Sequence, residues 1–277
     1  MIKIEIPKFV KWAGGKGQLI DQFKPFFPKE VNRYFEPFVG SGAVAFYIIQ
    51  KYNPKDVFLS DTNKELINAY EVVKTDVEKL ILDLRQHKHN FKIDREKYYY
   101  EIRKIDPHQL SKIKNAARFI FLNKTCFNGL YRVNSKGEFN VPIGSYKNPE
   151  IFEEDKLRRI SKLLKNVTLT STSFETILPH TKKGDFVYLD PPYYPLKKNS
   201  FTTYQKNVFL DEEHKKLSNL FKKLDNKGCL VMESNSDTDF VKKLYTNYKP
   251  LHVKARRSIN CQSQGRGIIN EVVIKNY

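Results

Sequence analysis

The chain has few cysteines, and they are not paired in sequence. Cys126, Cys229 and Cys261 lie far apart and form no CxxC pair. An odd and sparse set of this kind argues against a disulfide framework and against a structural zinc site. It is the pattern expected of a protein in a reducing cytoplasm.

Long apolar runs are also missing. No stretch approaches the roughly 18 uncharged apolar residues that a membrane-spanning helix needs. The segment from Met1 to Lys11 carries charges and Pro7 where a signal peptide would need an apolar core. We therefore expect a soluble cytoplasmic protein with no membrane partner.

Acidic residues are outnumbered by basic ones. The 277 residues include 49 Lys and Arg against 31 Asp and Glu, which gives a formal net charge of +18. The basic residues are interspersed with 16 Tyr and 20 Phe rather than collected in one tail. This distribution favours a polyanionic partner, with a lysine-rich composition that only improves solubility as the alternative. Charge alone does not distinguish DNA from RNA.

Strand and helix patterns alternate towards both ends of the chain. Short strand patterns at Arg33–Phe35 and Asp56–Asp61 flank a helix with an apolar face at Ala43–Tyr52. Further strand patterns follow at Val167–Thr170, Phe186–Leu189, Cys229–Met232 and Glu271–Ile274. Strands that alternate with helices indicate an α/β fold with a parallel sheet.

The middle of the chain has a different character. It is charged and helix-rich, with apolar residues at helical spacing and few strand patterns before Phe139–Pro142. The economical interpretation is one α/β domain formed by residues 1–62 and 166–277. A helical domain at 63–165 interrupts it and should pack against it.

A short polar segment, Asp190–Tyr193 (DPPY), follows the apolar run Phe186–Leu189. Two successive prolines cannot continue a buried parallel strand, so the strand ends at Asp190. Ligands of open α/β sheets bind at this carboxyl edge. The Asp190 carboxylate and the Pro191 carbonyl offer two acceptors for an amino group, and Tyr193 offers a ring to stack on. The segment predicts a site for an exocyclic amine of a nucleobase, with an ordinary strand-terminating turn as the alternative.

Two glycine-containing segments precede this site in the sequence. Lys11–Lys16 (KWAGGK) superficially suggests a phosphate loop, but Gly17 stands where that loop needs a Ser or Thr. We interpret it as a loop whose backbone approaches a ligand. Glu36–Gly42 (EPFVGSG) follows a strand and opens a helix, as in nucleotide-binding folds, but it lacks the third glycine of the dinucleotide fingerprint.

Asp61 ends the strand after the second glycine segment. An acidic side chain at this position accepts hydrogen bonds from ribose hydroxyls in nucleotide-binding sheets. A helix cap before Thr62 and Asn63 is the alternative. A cofactor that carries ribose and does not require a pyrophosphate site is S-adenosylmethionine.

Taken together, these segments resemble the motifs of the Dam-type DNA adenine-N6 methyltransferases. The matching positions are Lys11–Lys16, Glu36–Gly42, Asp61 and Asp190–Tyr193, and the likeness spans essentially the whole chain. Phe201–Tyr204 and Val253–Ser258 resemble later segments of the family. The resemblance implies a Rossmann-like S-adenosylmethionine-dependent methyltransferase sheet, interrupted by a helical DNA-recognition domain that carries a β-hairpin.

The most specific likeness lies within the insert. Asn123–Arg132 and Gly137–Gly144 closely resemble the recognition hairpin of members that methylate adenine in GATC. An arginine fork on guanine O6 and N7 is the commonest specific base contact. A surface Arg132 paired with Glu138 is the alternative. By this likeness the DNA-binding residues are Lys11, Phe127, Asn128, Leu130, Arg132 and Pro142, with Phe127 and Asn128 filling the space left in the duplex.

The predicted reaction methylates the N6 atom of adenine. The base cannot reach a cofactor from within the duplex, so it must be flipped out. We expect Asp190 and the Pro191 carbonyl to accept the two N6 hydrogens while Tyr193 stacks on the ring. These contacts aim the nitrogen lone pair at the sulfonium methyl group, which N6 attacks in line. The candidate catalytic residues are therefore Asp190, Pro191 and Tyr193.

The candidate cofactor-binding residues are Trp12, Ala13, Gly14, Lys16, Phe38, Gly40, Asp61, Phe174 and Asp190. For Phe174, a position in the core is the alternative interpretation. We expect no metal. The expected partner is double-stranded DNA, with a restriction endonuclease for the same site as a candidate second partner, and the expected state is a monomer. Methylation of an RNA base or a protein amide, and a non-catalytic DNA-binding subunit, are the alternative functions.

Overall fold

A single mixed β-sheet forms the centre of the molecule. The computed structural model describes residues 4–196, 209–256 and 267–277. In this part of the chain the strands are β1 (Arg33–Glu36), β2 (Asp56–Ser60), β3 (Val167–Thr170), β4 (Phe186–Leu189), β5 (Leu230–Ser236), β6 (Leu251–Arg256) and β7 (Ile268–Lys275). Their order in the sheet is β3-β2-β1-β4-β5-β7-β6. The first five are parallel, whereas β7 is antiparallel to both of its neighbours.

Helices connect most of the strands along the chain. In the described ranges the α-helices are α1 (Ile20–Phe23), α2 (Ala43–Tyr52), α3 (Lys64–Thr75), α4 (Val77–Ile93), α5 (Arg95–Lys104), α6 (Lys112–Thr125), α7 (Glu154–Leu164), α8 (Asp211–Asn226) and α9 (Asp239–Leu244). Parallel strands joined through helices confirm the predicted α/β class with a Rossmann-like arrangement. None of these helices combines the length and the apolar character that crossing a bilayer would take.

The strand order places a cleft between β1 and β4. From β1 the chain moves outward through β2 and β3, and it then returns to the other side of β1 as β4. Open α/β sheets bind their ligands at such a reversal, outside the carboxyl ends of the strands. The register pairs Phe35 with Val187, so Glu36 and Asp190 lie close to the same edge.

The helices of the middle segment share one apolar core with the sheet. Leu80 of α4, Tyr99 of α5 and Ile120 of α6 belong to the same buried cluster as Tyr34 and Phe186 of the sheet. This continuity agrees with the expectation that the insert packs against its host.

The first helix of the middle segment also contacts the sheet, and the last helix of the segment contacts the first. Lys74 of α3 donates from its Nζ to the Val167 carbonyl of β3 at 2.8 Å. Ser161 of α7 donates from its hydroxyl to the Lys74 carbonyl at 3.4 Å. The division at residues 63 and 165 stays a prediction.

Two details of the strand predictions differ in the structure. β5 continues beyond Met232 through the buried polar residues Glu233–Ser236, whose composition does not indicate a strand. The hairpin expected near Phe139–Pro142 lacks regular strands and is joined by isolated bridges, Val133 with Phe139 and Cys126 with Ile143. Phe201–Tyr204 and Arg257–Ser258, which resemble later family segments, lie outside the described residues.

Candidate active site

Asp190 lies just beyond β4, at the reversal of the strand order. One oxygen of its carboxylate, Oδ1, receives both hydrogen bonds that the described residues donate to it. They come from the Lys16 ammonium at 2.7 Å and the Ser234 hydroxyl at 2.9 Å. Burial raises the pKa of Asp190, and both donors oppose this by stabilising the ionised form. The arrangement suits a carboxylate that accepts hydrogen bonds through Oδ2.

Lys16 is a buried cation next to this carboxylate. Its side chain is only 5% exposed, and its Nζ also donates to the Gly14 carbonyl at 2.6 Å. The same nitrogen lies 4.5 Å from the centroid of the Tyr193 ring. The structure therefore brings Lys16, predicted as a cofactor-binding residue, into contact with the two expected catalytic side chains.

Tyr193 is fixed through its hydroxyl group. The half-buried side chain donates to Oε2 of Glu271 on β7 at 2.7 Å. Burial and the negative charges of Asp190 and Glu271 raise the pKa of Tyr193 well above its usual value. The hydroxyl therefore remains a neutral donor, and Glu271 holds the ring at the cleft.

A second carboxylate lies beneath the first. Glu36, at the end of β1, is buried and accepts a hydrogen bond from the Tyr34 hydroxyl at 2.7 Å. Burial is the main cause that raises the pKa of Glu36, and the nearby charge of Asp190 adds to it. Burial therefore opposes a negative charge on Glu36, and the ion pair of Lys16 is formed with Asp190.

The glycine turn after β1 needs its glycines for two reasons. Gly40 and Gly42 have φ angles of +46° and +70°, which other residues rarely adopt. A Cβ atom on Gly40 would lie 2.6 Å from Cδ1 of Trp12, and one on Gly42 would lie 2.6 Å from the Tyr70 hydroxyl oxygen. The indole of Trp12 thus packs directly on the glycine backbone, which joins two of the predicted cofactor segments.

Asp61 holds the same turn from the neighbouring strand. Its Oδ2 accepts from the Gly40 amide at 3.2 Å, and its Oδ1 accepts from the Asn63 amide at 2.9 Å. The N-cap of α3 is Asn63, whose side chain accepts from the Leu66 amide, so Asp61 is not the helix cap. Burial raises the pKa of Asp61, and hydrogen bonds from the Asn63, Gly40 and Thr62 amides oppose this effect. Because a carboxylate has about four acceptor positions, acceptor capacity remains for a ligand hydroxyl.

Three phenylalanines line the adjoining side of the turn. Phe38 is half-buried and stacks on Phe174 with ring centroids 5.4 Å apart. Phe209 packs edge-on against Phe38 at 5.8 Å and also contacts Phe174. Phe174 is 7% exposed and belongs to a buried core cluster. Phe174 therefore packs as a core residue, which is the alternative interpretation of its sequence position. Phe38 leaves more of its ring exposed to solvent.

Residues 127–144 form an irregular loop, here called the recognition loop. Arg132 is exposed, and its guanidinium donates to Asn140 twice, from Nε to the side-chain Oδ1 at 2.7 Å and from Nη2 to the carbonyl at 3.2 Å. Glu138 instead accepts from the Asn134 side chain at 2.7 Å. The alternative pairing of Arg132 with Glu138 is therefore not observed.

The other predicted DNA-binding residues lie on or beside this loop. Phe127 is 42% exposed, Pro142 is exposed, and Asn128 has a φ angle of +54°. Leu130 is half-buried against the core. Lys11, from the first glycine segment, lies with its Nζ 3.7 Å from the centroid of the Tyr146 ring.

Asn123 joins the loop to the first glycine segment, a role that sequence reasoning missed. Its Oδ1 accepts from the Lys11 amide at 2.7 Å, and its Nδ2 donates to the Lys11 carbonyl at 2.8 Å and to the Gly129 carbonyl at 3.2 Å. Trp12 and Tyr131 add a stacked contact at 6.2 Å between centroids. Asn123 opens the segment that resembles the recognition hairpin, and it is a polar residue on the buried side of α6, but neither feature indicates its contact with Lys11.

Ser234 and Glu271 were also missed, because neither lies in a segment whose composition indicates a site. Both belong to strands, β5 and β7, and both are buried. The structure does not group three or more His, Cys, Asp or Glu side chains into a possible metal site within the described ranges.

Comparison with known proteins gives the family. Residues 12–259 match the D12 class N6 adenine-specific DNA methyltransferase family. The chain belongs to this family, which confirms the resemblance to Dam-type enzymes and the expected adenine-N6 DNA methyltransferase activity class.

Relatives with full-length similarity carry corresponding names. The chain is 46% identical over 289 residues to the type II methyltransferase M.MjaIII of Methanocaldococcus jannaschii, covering 99% of this chain and 100% of the relative. It is 39% identical to the type II methyltransferase M1.LlaDCHI of Lactococcus lactis subsp. cremoris, covering 99% and 97%. It is 34% identical to the DNA adenine methylase of Haemophilus influenzae, covering 98% and 94%.

Proposed function

We propose that this enzyme transfers a methyl group from S-adenosylmethionine to N6 of an adenine flipped out of duplex DNA, within the sequence GATC. The observation that carries the proposal is the hydrogen bonding of Asp190. Lys16 and Ser234 both occupy Oδ1, at 2.7 and 2.9 Å. Oδ2 is therefore the oxygen suited to accept a hydrogen from an exocyclic amine at the carboxyl edge of β4.

The proposed cofactor fits the residues around the second glycine turn. Asp61 keeps acceptor positions for ribose hydroxyls beside the Gly40 backbone, and Phe38 offers a partly exposed ring face. Trp12 closes the turn from the other side. When bound, S-adenosylmethionine supplies an electrophilic methyl group on a positively charged sulfur.

The catalytic contribution of the chain is orientation and electrostatics. Oδ2 of Asp190 and the Pro191 carbonyl would accept the two N6 hydrogens, which keeps the nitrogen lone pair out of the ring system and directed at the methyl group. Tyr193, held by Glu271, would stack on the base. These contacts require a base outside the duplex, because its N6 is otherwise inside the stack.

The proposed target sequence rests on the recognition loop. Arg132 uses Nε and one hydrogen of Nη2 on Asn140, so its end-on fork of Nη1 and Nη2 is the part that can contact guanine O6 and N7. Phe127 is exposed at the start of the loop, as a residue that enters a distorted duplex must be. A restriction endonuclease for the same site is proposed as a partner because relatives are named type II methyltransferases. The monomeric state and the cytoplasmic location stay predictions.

The test is transfer of labelled methyl from S-adenosylmethionine to a duplex with one GATC, beside a matched GTTC duplex. We expect label on the GATC duplex alone, located at adenine N6 after nuclease digestion. Label on mixed genomic DNA but not on the GATC duplex would reject the target sequence and keep the reaction. Absence of label from both, with an active relative as positive control, would reject the proposed reaction.

A further inference from the structure

The end of strand β5 holds the catalytic segment, Asp190–Tyr194, at both of its ends. At the first end, Ser234 donates to Oδ1 of Asp190 at 2.9 Å. At the second end, the Tyr194 amide donates to Oδ1 of Asn235 at 3.3 Å, and Ser236 donates to the Tyr194 carbonyl at 2.7 Å. Three consecutive residues of one strand thus contact a segment that has no regular structure of its own.

The direction of the Ser234 hydrogen bond is determined by its neighbours. A serine hydroxyl has a single hydrogen to donate. The ionised Asp190 can only accept, so Ser234 gives its hydrogen to Asp190 and accepts from the Tyr188 hydroxyl, 2.8 Å away. Burial raises the pKa of Tyr188 well above its usual value, which keeps that hydroxyl protonated as a donor.

The two hydroxyl groups in this chain of hydrogen bonds are buried, whereas the side chain of Asp190 is 17% exposed. Tyr188 and Ser234 are both 0% exposed. Both belong to neighbouring parallel strands, since β4 and β5 pair Tyr188 with Met232 and Leu189 with Glu233. The hydroxyl that donates to Asp190 is therefore held by a short side chain on a central strand, whereas the Lys16 ammonium lies at the end of a long side chain.

We propose that Ser234 is a positioning residue for methyl transfer, which together with Lys16 fixes the Asp190 carboxylate so that Oδ2 faces the substrate amine. The proposal rests on the proposed function, in which Asp190 accepts a hydrogen from N6. Lys16 supplies the compensating charge for Oδ1, whereas Ser234 sets the rotation of the carboxylate plane, because it approaches the same oxygen from the sheet.

Asn235 has the supporting role at the other end of the segment. Its Nδ2 donates to Oε1 of Glu233 at 3.0 Å, which turns its Oδ1 towards the Tyr194 amide. The two contacts restrict the amide to one orientation. The backbone from Asp190 to Tyr194 is thereby tied to the sheet on both sides of Tyr193.

The test compares Ser234→Ala with Ser218→Ala in the full-length enzyme. Ser218 is a matched control, because it is equally buried and donates from its hydroxyl to the Lys215 carbonyl of helix α8, away from the cleft. We expect Ser234→Ala to lower the single-turnover methyl-transfer rate by about tenfold, since removal of a preorganised donor acts mainly on the chemical step. The KM values for DNA and cofactor should change little, and the melting temperature should fall modestly, because the Tyr188 hydroxyl loses its acceptor.

Two further variants separate positioning from general damage. Ser234→Cys keeps a weak donor and should recover part of the rate, and Tyr188→Phe, which keeps the Ser234 donor but removes its partner, should show a smaller loss. An unchanged rate in Ser234→Ala, or a loss that appears only as a raised KM or a lowered melting temperature, would overturn the proposal.

Asp190→Ala distinguishes this inference from the function beneath it. If Asp190→Ala is inactive while Ser234→Ala transfers methyl at the normal rate, the positioning role fails and the proposed function stands. If Asp190→Ala retains a normal rate, the proposed role of Asp190 fails and the inference fails with it.

Discussion

The catalytic segment and the recognition loop are both expected to meet the target base pair, yet they are stabilised in opposite ways. The catalytic segment is held by side chains from distant elements: Lys16 near the N-terminus, Ser234 of β5 and Glu271 of β7. The outer part of the recognition loop, from Arg132 to Asn140, is instead closed by contacts within the loop, through the Val133–Phe139 bridge and the turn closed by Asn134. Only the base of the loop is held by helices α3, α5 and α6.

The residues around the catalytic segment are also more deeply buried than those of the recognition loop. Lys16, Glu36 and Ser234 are all less than 5% exposed, whereas Arg132 and Phe127 project into solvent. Charges and dipoles act most strongly on a reacting atom where water is excluded. A side chain that recognises a base has to reach outward to the duplex. The buried contacts of the catalytic segment therefore suit the proposed chemistry, and the exposed side chains of the recognition loop suit contact with DNA.

The first and largest prediction tests the buried side of this comparison. Replacing Lys16 with Met removes the cation from Oδ1 of Asp190. Loss of one partner of a buried ion pair lowers the free energy of unfolding by about 3–5 kcal/mol. Because Lys16 opposes the upward effect of burial on the Asp190 pKa, its removal should raise that pKa further. We expect roughly a 100-fold loss of rate at neutral pH.

Lys16→Met should also change the pH dependence of activity. In the proposed mechanism the ionised Asp190 is the active form, so activity should fall as the pH drops through its pKa, and in Lys16→Met that fall should begin at higher pH. Lys24→Met is the control, since Lys24 is 50% exposed and pairs with Asp21 at the surface. A Lys16 variant whose acid limb does not move would contradict the pairing.

The second prediction concerns the exposed side. Arg132→Ala should lose about 1–3 kcal/mol of discrimination, which is the value of a bidentate contact to guanine. We expect kcat/KM on the cognate duplex to fall, with little change on duplexes substituted at the contacted pair. Steady-state rates on the set of singly substituted GATC duplexes would measure this.

A lysine variant in the recognition loop distinguishes base recognition by Arg132 from a general effect of positive charge. Lys136 is exposed at the loop tip, where its amide donates to Asn134. Lys136→Ala should weaken binding to all duplexes alike, if it changes binding at all. Equal losses on every duplex for Arg132→Ala would show that Arg132 contacts phosphates only.

The smallest expected effect lies where the base of the recognition loop meets helices α3 and α6. Tyr131 of the recognition loop donates to Oε1 of Glu65 at 2.8 Å, and Glu65 also pairs with the buried Arg118 at 3.2 Å. Tyr131→Phe should lower the free energy of unfolding by about 1 kcal/mol, the net value of one hydrogen bond. Urea unfolding measures it, with Tyr100→Phe as the control, because Tyr100 is likewise half-buried and packs its ring edge-on against Tyr99. Identical midpoints for Tyr131→Phe and the unaltered enzyme would argue against a contribution from the bond to Glu65.

Local patterns predicted several elements to the residue. Helix α2 begins at Ala43 and ends at Tyr52, and strand β4 spans Phe186–Leu189, as their apolar patterns indicate. The two prolines after Asp190 end β4 because they cannot continue the ladder of hydrogen bonds. β5 was predicted too short, since its last residues are polar, and their burial follows from pairing with β7 and from contacts with distant side chains.

The partners of the site could not be predicted in this way. Ser234 is 44 positions from Asp190, and Glu271 is 78 positions from Tyr193. Asn123 is 112 positions from Lys11. Each is a buried polar residue, and no local pattern states which distant group it will meet.

The sequence by itself determined the class of fold, the family and the segments that carry the chemistry, because each depends on residues that are neighbours along the chain. Only the tertiary structure decided that Lys16 and Ser234 share one oxygen of Asp190 and that Arg132 pairs with Asn140 rather than Glu138. Such contacts arise when the pairing of strands and the packing of helices bring distant residues together. Their geometry follows from the whole sheet, which no single segment specifies.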